Sequence, residues 1–168
     1  AIKEMINCLR STAPEKVLLS ADVGSGKTIC AQIACLYNAD CGYQSVLIGP
    51  TEILAQQLYS TFIKFTENLK EKPNIVYLSG KTKAKEKAEI YKKLENGEIN
   101  ILVGTHSVLT VPKFHNLGLV VVDEQQKFGV TQREQLLNTR EDGRIPDLIC
   151  QTATPIPRSV ATSFFGDL

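Results

Sequence analysis

The sequence has no tryptophan, one methionine and an aromatic share of only 7%. No apolar run approaches the roughly 20 residues needed to cross a bilayer, so no membrane span is predicted. Charge of one sign is also missing: 19 Lys and Arg face 18 Asp and Glu, leaving a net charge of +1. A small protein that holds nucleic acid by bulk charge is strongly basic, so any phosphate contact here must be local. The five cysteines, Cys8, Cys30, Cys35, Cys41 and Cys150, are odd in number and contain no CxxC pair. That pattern argues against a disulfide framework and a zinc site, and predicts buried free thiols. The stretch Ala1 to Leu9 lacks the basic, apolar and small-residue segments of a secretory signal, so the sequence reads as cytoplasmic.

What is present suits an ordinary core. A chain of 168 residues that is 43% hydrophobic and 22% charged fits one domain, and such a domain buries roughly 70% of its unfolded surface. Ile2, Met5, Ile6 and Leu9 have helical spacing but no capping residue before them, and the far end, Ser163 to Leu168, stops without a closing element. Both edges predict a fragment of a larger protein. Between them, short apolar runs at Val17–Ser20, Ser45–Gly49, Ile75–Leu78, Asn100–Gly104, Leu119–Asp123 and Leu148–Thr152 read as strands. The spacers Lys27–Asn38, Glu52–Leu69 and Ala84–Asn96 read as amphipathic helices, with Leu54, Leu58, Phe62 and Phe65 on one face of the second and Ala84, Ala88, Tyr91 and Leu94 on one face of the third. Repeated alternation of apolar strands and helices predicts an α/β fold, a parallel sheet with helices on both faces.

Strand Val17–Ser20 runs directly into Ala21-Asp22-Val23-Gly24-Ser25-Gly26-Lys27-Thr28 and then a helix, the setting of a phosphate-binding loop. Gly24 and Gly26 let the backbone curl so that N–H groups, including that of Ser25, point at phosphate oxygens, and the start of the helix adds its positive dipole end. Lys27 would reach the outer phosphates, and Thr28 would offer a hydroxyl to Mg²⁺, a cation that prefers oxygen ligands. Further on, Leu119-Val120-Val121-Val122 ends in Asp123-Glu124, at the strand edge where open α/β sheets bind ligands. Asp123 would hold Mg²⁺, and Glu124 would orient and deprotonate an attacking water. Together the two motifs predict an ATP-hydrolysing enzyme. Six lysines, Lys81, Lys83, Lys85, Lys87, Lys92 and Lys93, crowd one stretch interleaved with Glu86 and Glu89, which reads first as a solvated helix face and second as a flank of a nucleic-acid path.

Asp123-Glu124-Gln125-Gln126 resembles the DExx box of superfamily 2 helicases, and Thr152-Ala153-Thr154-Pro155 resembles their third motif. Pro50-Thr51-Glu52-Ile53-Leu54-Ala55-Gln56-Gln57, Gly104-Thr105-His106, Phe128-Gly129-Val130 with Gln132-Arg133, and Thr154-Pro155-Ile156-Pro157-Arg158 narrow the resemblance to the RecG family of ATP-dependent DNA helicases. It runs across nearly the whole chain. The resemblance implies a first RecA-like motor domain that binds ATP and Mg²⁺ and takes part in translocation on branched or forked DNA. It also implies that Thr51, Glu52, Ser79, Gly80, Thr105 and His106 lie in motifs that face nucleic acid, while Gln126, Thr152 and Thr154 couple nucleotide state to the grip on DNA. From the residues alone, Thr51 also reads as a helix N-cap.

Three features depart from the pattern: Ala21 stands where the loop opens with Gly, Gln126 and Lys127 stand where His and Arg are expected, and the stretch from Thr105 to Phe114 is one residue short. The resemblance also implies a second RecA-like domain, which supplies arginines to the transferring phosphoryl group, and a DNA-wedge domain; neither is expected within these residues. A non-motor nucleotide-binding module and a motor on RNA stay open as alternatives, since only the family resemblance selects DNA.

Overall fold

The structure is a computed structural model that describes residues 16–20, 26–123 and 145–152, with the backbone alone for 16–20 and 152. Along the chain run β1 (Lys16–Ser20), α1 (Lys27–Asp40), β2 (Gln44–Ile48), α2 (Glu52–Thr66), β3 (Ile75–Leu78), α3 (Ala84–Glu95), β4 (Ile101–Gly104), a 3₁₀ turn (His106–Thr110), β5 (Leu117–Asp123) and β6 (Asp147–Thr152). The six strands form one sheet in the order β1-β6-β5-β2-β4-β3, and every pairing is parallel. The expected α/β architecture is therefore present. The helix foreseen over Ile2 to Leu9 lies outside the described residues.

Burial explains why the strands read as uniformly apolar. Leu47, Ile101, Val103, Leu119, Val121 and Ile149 point to one face, where Ala31, Ala34 and Cys35 of α1 and Leu58 and Phe62 of α2 cover them. Val46, Ile48, Leu102, Val120, Val122 and Leu148 point to the other, under Ile90 and Leu94 of α3 and the segment carrying Val108, Val111 and Phe114. Both faces are dry, so alternation with polar residues is lost.

Two helical faces differ from their sequence reading. On α2 the buried stripe is Ala55, Leu58, Phe62 and Thr66, whereas Leu54 and Phe65 stay 40% and 41% exposed. Ala55 lies so close to Gly49 that a Cβ on that glycine would strike it, and the Thr66 hydroxyl is satisfied within the helix by donating to the carbonyl of Phe62 at 3.1 Å. On α3 the buried pair is Ile90 and Leu94; Ala84 and Ala88 are exposed, and Tyr91 is half-buried. Of the thiols, Cys35 and Cys150 are buried as expected, but Cys41 is exposed because it closes α1 in a surface turn.

The amino edge of the sheet is tied by a buried polar residue. The Gln44 amide donates to the carbonyls of Leu94 at 2.9 Å and Ile99 at 2.8 Å, and accepts from the Asn116 N–H at 2.9 Å. These bonds satisfy the amide, without which its burial would cost about 1–3 kcal/mol. The tie joins α3 and the segments before β4 and β5 to the start of β2.

Candidate nucleotide-binding site and nucleic-acid edge

Gly26 sits directly before α1 with φ of 81°, the left-handed region, and a Cβ added there would meet nothing within 4 Å. The glycine is required by backbone conformation, not by crowding. It has no side chain to cap the helix, and no acidic residue lies in the first turn. The Cys30 N–H returns to the Gly26 carbonyl at 3.1 Å, and the N–H groups before it open the helix. A helix start without a side-chain cap, which is worth about 1 kcal/mol elsewhere, suits an anion. Lys27 and Thr28 are both half-buried in this first turn. Gly24 and Ser25 lie outside the described residues, as do Glu124, Gln126 and Thr154.

Strand order decides what faces this helix start. β6 lies between β1 and β5, with Gln151 in register with Leu19 on one side and Asp123 on the other, and Ser20 beside Thr152. Strand alternation puts Asp123 on the face of Leu119 and Val121, the same face as α1. The phosphate-loop exit and the acidic strand end therefore meet at one carboxyl edge, one strand apart. Asp123 is half-buried there, and Thr152 is the last residue of β6. Two hard oxygen donors, Thr28 and Asp123, fit Mg²⁺, which keeps several waters and is usually held by few protein groups together with substrate phosphates.

Gln151 was not singled out by sequence. It is 1% exposed, and its side-chain N–H donates to the Lys27 carbonyl at 2.6 Å, joining the end of β6 to the first residue of α1. The only sequence signal was an amide in an otherwise apolar strand, immediately before Thr152.

The other expected residues gather at the ends of three neighbouring strands. Ile48 of β2 and Leu78 of β3 are both level with Gly104 of β4, so the segments after them emerge side by side. Gly104 is dictated by this closeness, because a Cβ there would strike the Leu78 carbonyl and the Val108 side chain. Thr51 caps α2 by accepting from the Leu54 N–H at 3.3 Å, which leaves its O–H to donate elsewhere. Ser79 is buried, and its hydroxyl accepts from the Lys81 N–H at 3.2 Å. The Ser79 N–H donates to Thr82 Oγ1 at 3.0 Å, so the segment from Ser79 to Thr82 is a self-bonded turn. Gly80 is exposed at its tip. Thr105 and His106 are half-buried and lead into the 3₁₀ turn, with Thr105 Oγ1 3.2 Å from Ser107 Oγ.

Glu52, in the first turn of α2, forms an ion pair with Lys81 at 2.7 Å, a contact no sequence spacing announced. Tyr77 Oη donates to the Glu52 carbonyl at 3.4 Å. Burial, with the Glu52 carboxylate adding to it, pushes the Tyr77 hydroxyl above its ordinary pKa, so it stays a neutral donor. The hydrogen bond and charge of Glu52 likewise raise Lys81 above its ordinary value, so the ammonium persists through neutral pH.

A parallel sheet with a glycine-led helix start and an acidic strand end at one edge defines a RecA-like nucleotide-binding motor domain. The family profile for DEAD/DEAH box helicase matches residues 2–163, and the chain belongs to that family. Within it, the sequence is similar to the ATP-dependent DNA helicase RecG of Thermotoga maritima, 43% identical over all of this chain and 21% of that protein. RecG of Aquifex aeolicus is 44% identical over the same shares. The chain thus spans about a fifth of the length of these relatives. A solved structure of RecG bound to a three-way DNA junction superposes with a TM-score of 0.82 at 39% identity, covering 98% of this chain and 21% of that one. A DEAD box protein from Methanococcus jannaschii shares the fold, with a TM-score of 0.67 at 23% identity over 98% of this chain and 46% of that one. This is a RecG-like superfamily 2 helicase motor domain. Among the described residues no helix is long and apolar enough to cross a membrane.

Proposed function

We propose that residues 1–168 form one RecA-like domain, the ATP-binding one, of a cytoplasmic DNA helicase or translocase. It acts on branched or forked DNA in replication-fork rescue and recombination repair, and a second RecA-like domain of the same protein completes the ATP site. The observation that carries this reading is the placement of the α1 start and Asp123 on one face, one strand apart, with Gln151 bridging to Lys27. Bound ATP and Mg²⁺ supply the transferable phosphoryl group and the charge that neutralises it. Gly24, Ser25, Gly26 and Lys27 hold the phosphates; Thr28 and Asp123 hold the metal. Glu124 takes the proton of the attacking water. Thr51, Glu52, Ser79, Gly80, Thr105 and His106 build the face toward DNA, where hydroxyls and N–H groups grip phosphates without reading bases, as a motor that steps over any sequence requires. Gln126, Thr152 and Thr154 relay nucleotide state to that face.

The experiment compares Lys27→Ala and Glu124→Gln in the full-length protein. We expect the first to weaken binding of a fluorescent ATP analogue. The second should keep binding while slowing forked-DNA-stimulated hydrolysis by at least about 100-fold, the scale of a lost general base. Unchanged turnover in Glu124→Gln would remove it from the base role.

A further inference from the structure

Among the lysines crowded between Lys81 and Lys93, position in the fold separates one from the rest. Lys92 and Lys93 lie in the last turn of α3, where cations suit the helix dipole. Lys87 is spent over the Tyr91 ring, 5.6 Å from its centroid. Lys83 and Lys85 bracket the start of α3, the end where a cation gains nothing from the helix. Lys81 alone lies on the turn level with the segments after β2 and β4, held by the bonds that Ser79 and Thr82 make within that turn. Its side chain is 85% exposed, and its ammonium lies 2.7 Å from the Glu52 carboxylate.

Glu52 has a reason to be there that does not involve nucleic acid, since a carboxylate in the first turn of α2 is stabilised by the helix dipole. Its cost is a negative charge on a face assigned to phosphates. A carboxylate cannot donate to a phosphodiester, so Glu52 by itself repels the strand. We propose that Lys81 is a phosphate-binding residue of the nucleic-acid edge, and that Glu52 is its counter-ion when no strand is bound. An arriving phosphodiester draws the Lys81 ammonium away from Glu52 or shares it. Exposed ion pairs contribute little to stability, so exchanging one anion for another at Lys81 carries a small penalty. The pair keeps the edge near neutral until a strand arrives, in keeping with a chain whose net charge is only +1.

This inference rests on the DNA-facing reading of that edge, and its two partners give responses of opposite sign. Binding of a fluorescein-labelled forked DNA by the full-length protein would be measured by anisotropy against salt for the wild type, Lys81→Met and Glu52→Gln. At about 0.1 M salt we expect Lys81→Met to weaken binding roughly fivefold and to reduce the salt slope by about one. Glu52→Gln frees the ammonium and should tighten binding about twofold or more. Weaker binding by both variants would make the pair a structural clamp and overturn the proposal, as would an unchanged affinity and slope in Lys81→Met. A wild type with no salt-dependent DNA binding would overturn the underlying reading as well, so the two failures are distinguishable.

Discussion

Cys35 is wholly buried on α1, and burial pushes its thiol up to about 12 despite a hydrogen bond with Ser45 that acts the other way. Cys41, six residues on, is exposed. Iodoacetamide at about pH 8.5, where an exposed thiol is partly ionised, should label Cys41 in the folded chain and spare Cys35 and Cys150 until denaturant is added. Mass spectrometry of the labelled peptides checks this, and early labelling of Cys35 would contradict its burial. The sign of the pH effect follows from the same shift. The folded chain keeps a proton that the unfolded chain releases above its ordinary value of 9.0. Cys35 therefore removes stability as pH rises from about 9 toward 12 and has no effect below that window. Residue identity alone named the thiol; its environment set the chemistry.

At the scale of elements, the Gln151 amide joins β6 to α1 by donating to the carbonyl of Lys27, the first residue of that helix. Gln151→Leu keeps the volume and the burial while removing the donor. In the full-length protein we expect the KM for ATP to rise about fivefold, the equivalent of the roughly 1 kcal/mol of one hydrogen bond, with kcat little changed. A lower thermal midpoint with the KM unmoved would show that the bond only fastens helix to sheet. The same junction illustrates what the pattern could not deliver. Strands and helices were legible to within a few residues because both faces of the sheet are apolar. The inward face of α2 departs from a hydrophobic stripe, because Ala55 sits against Gly49 and Thr66 satisfies its hydroxyl within the helix.

At the scale of the whole molecule, the proposed function divides the ATP site between this domain and a second one. In that proposal the groups that hold phosphate and metal belong to this chain, whereas the arginines that stabilise the transferring phosphoryl group come from the second domain and can matter by about 10³ in rate. We expect the 168-residue chain alone to hydrolyse ATP poorly and to respond little to forked DNA. Steady-state turnover with and without that DNA is the measurement. DNA-stimulated rates like those of the full-length protein would show that no second domain is needed.

Local chemistry and pattern were enough to determine the fold class and the positions of the strands, and to mark the glycine before Lys27 and the strand that ends in Asp123. Each of these depends on residue type at short spacing: a glycine where φ must be positive, a run of β-branched residues where a strand is buried on both sides. Only the tertiary structure decided that β6 separates β1 from β5, that Gln151 reaches Lys27, and that Lys81 pairs with Glu52. Those contacts join residues 29 to 124 positions apart in different elements. No periodicity carries such information, because the sheet order that creates the contacts is set by packing of the whole core.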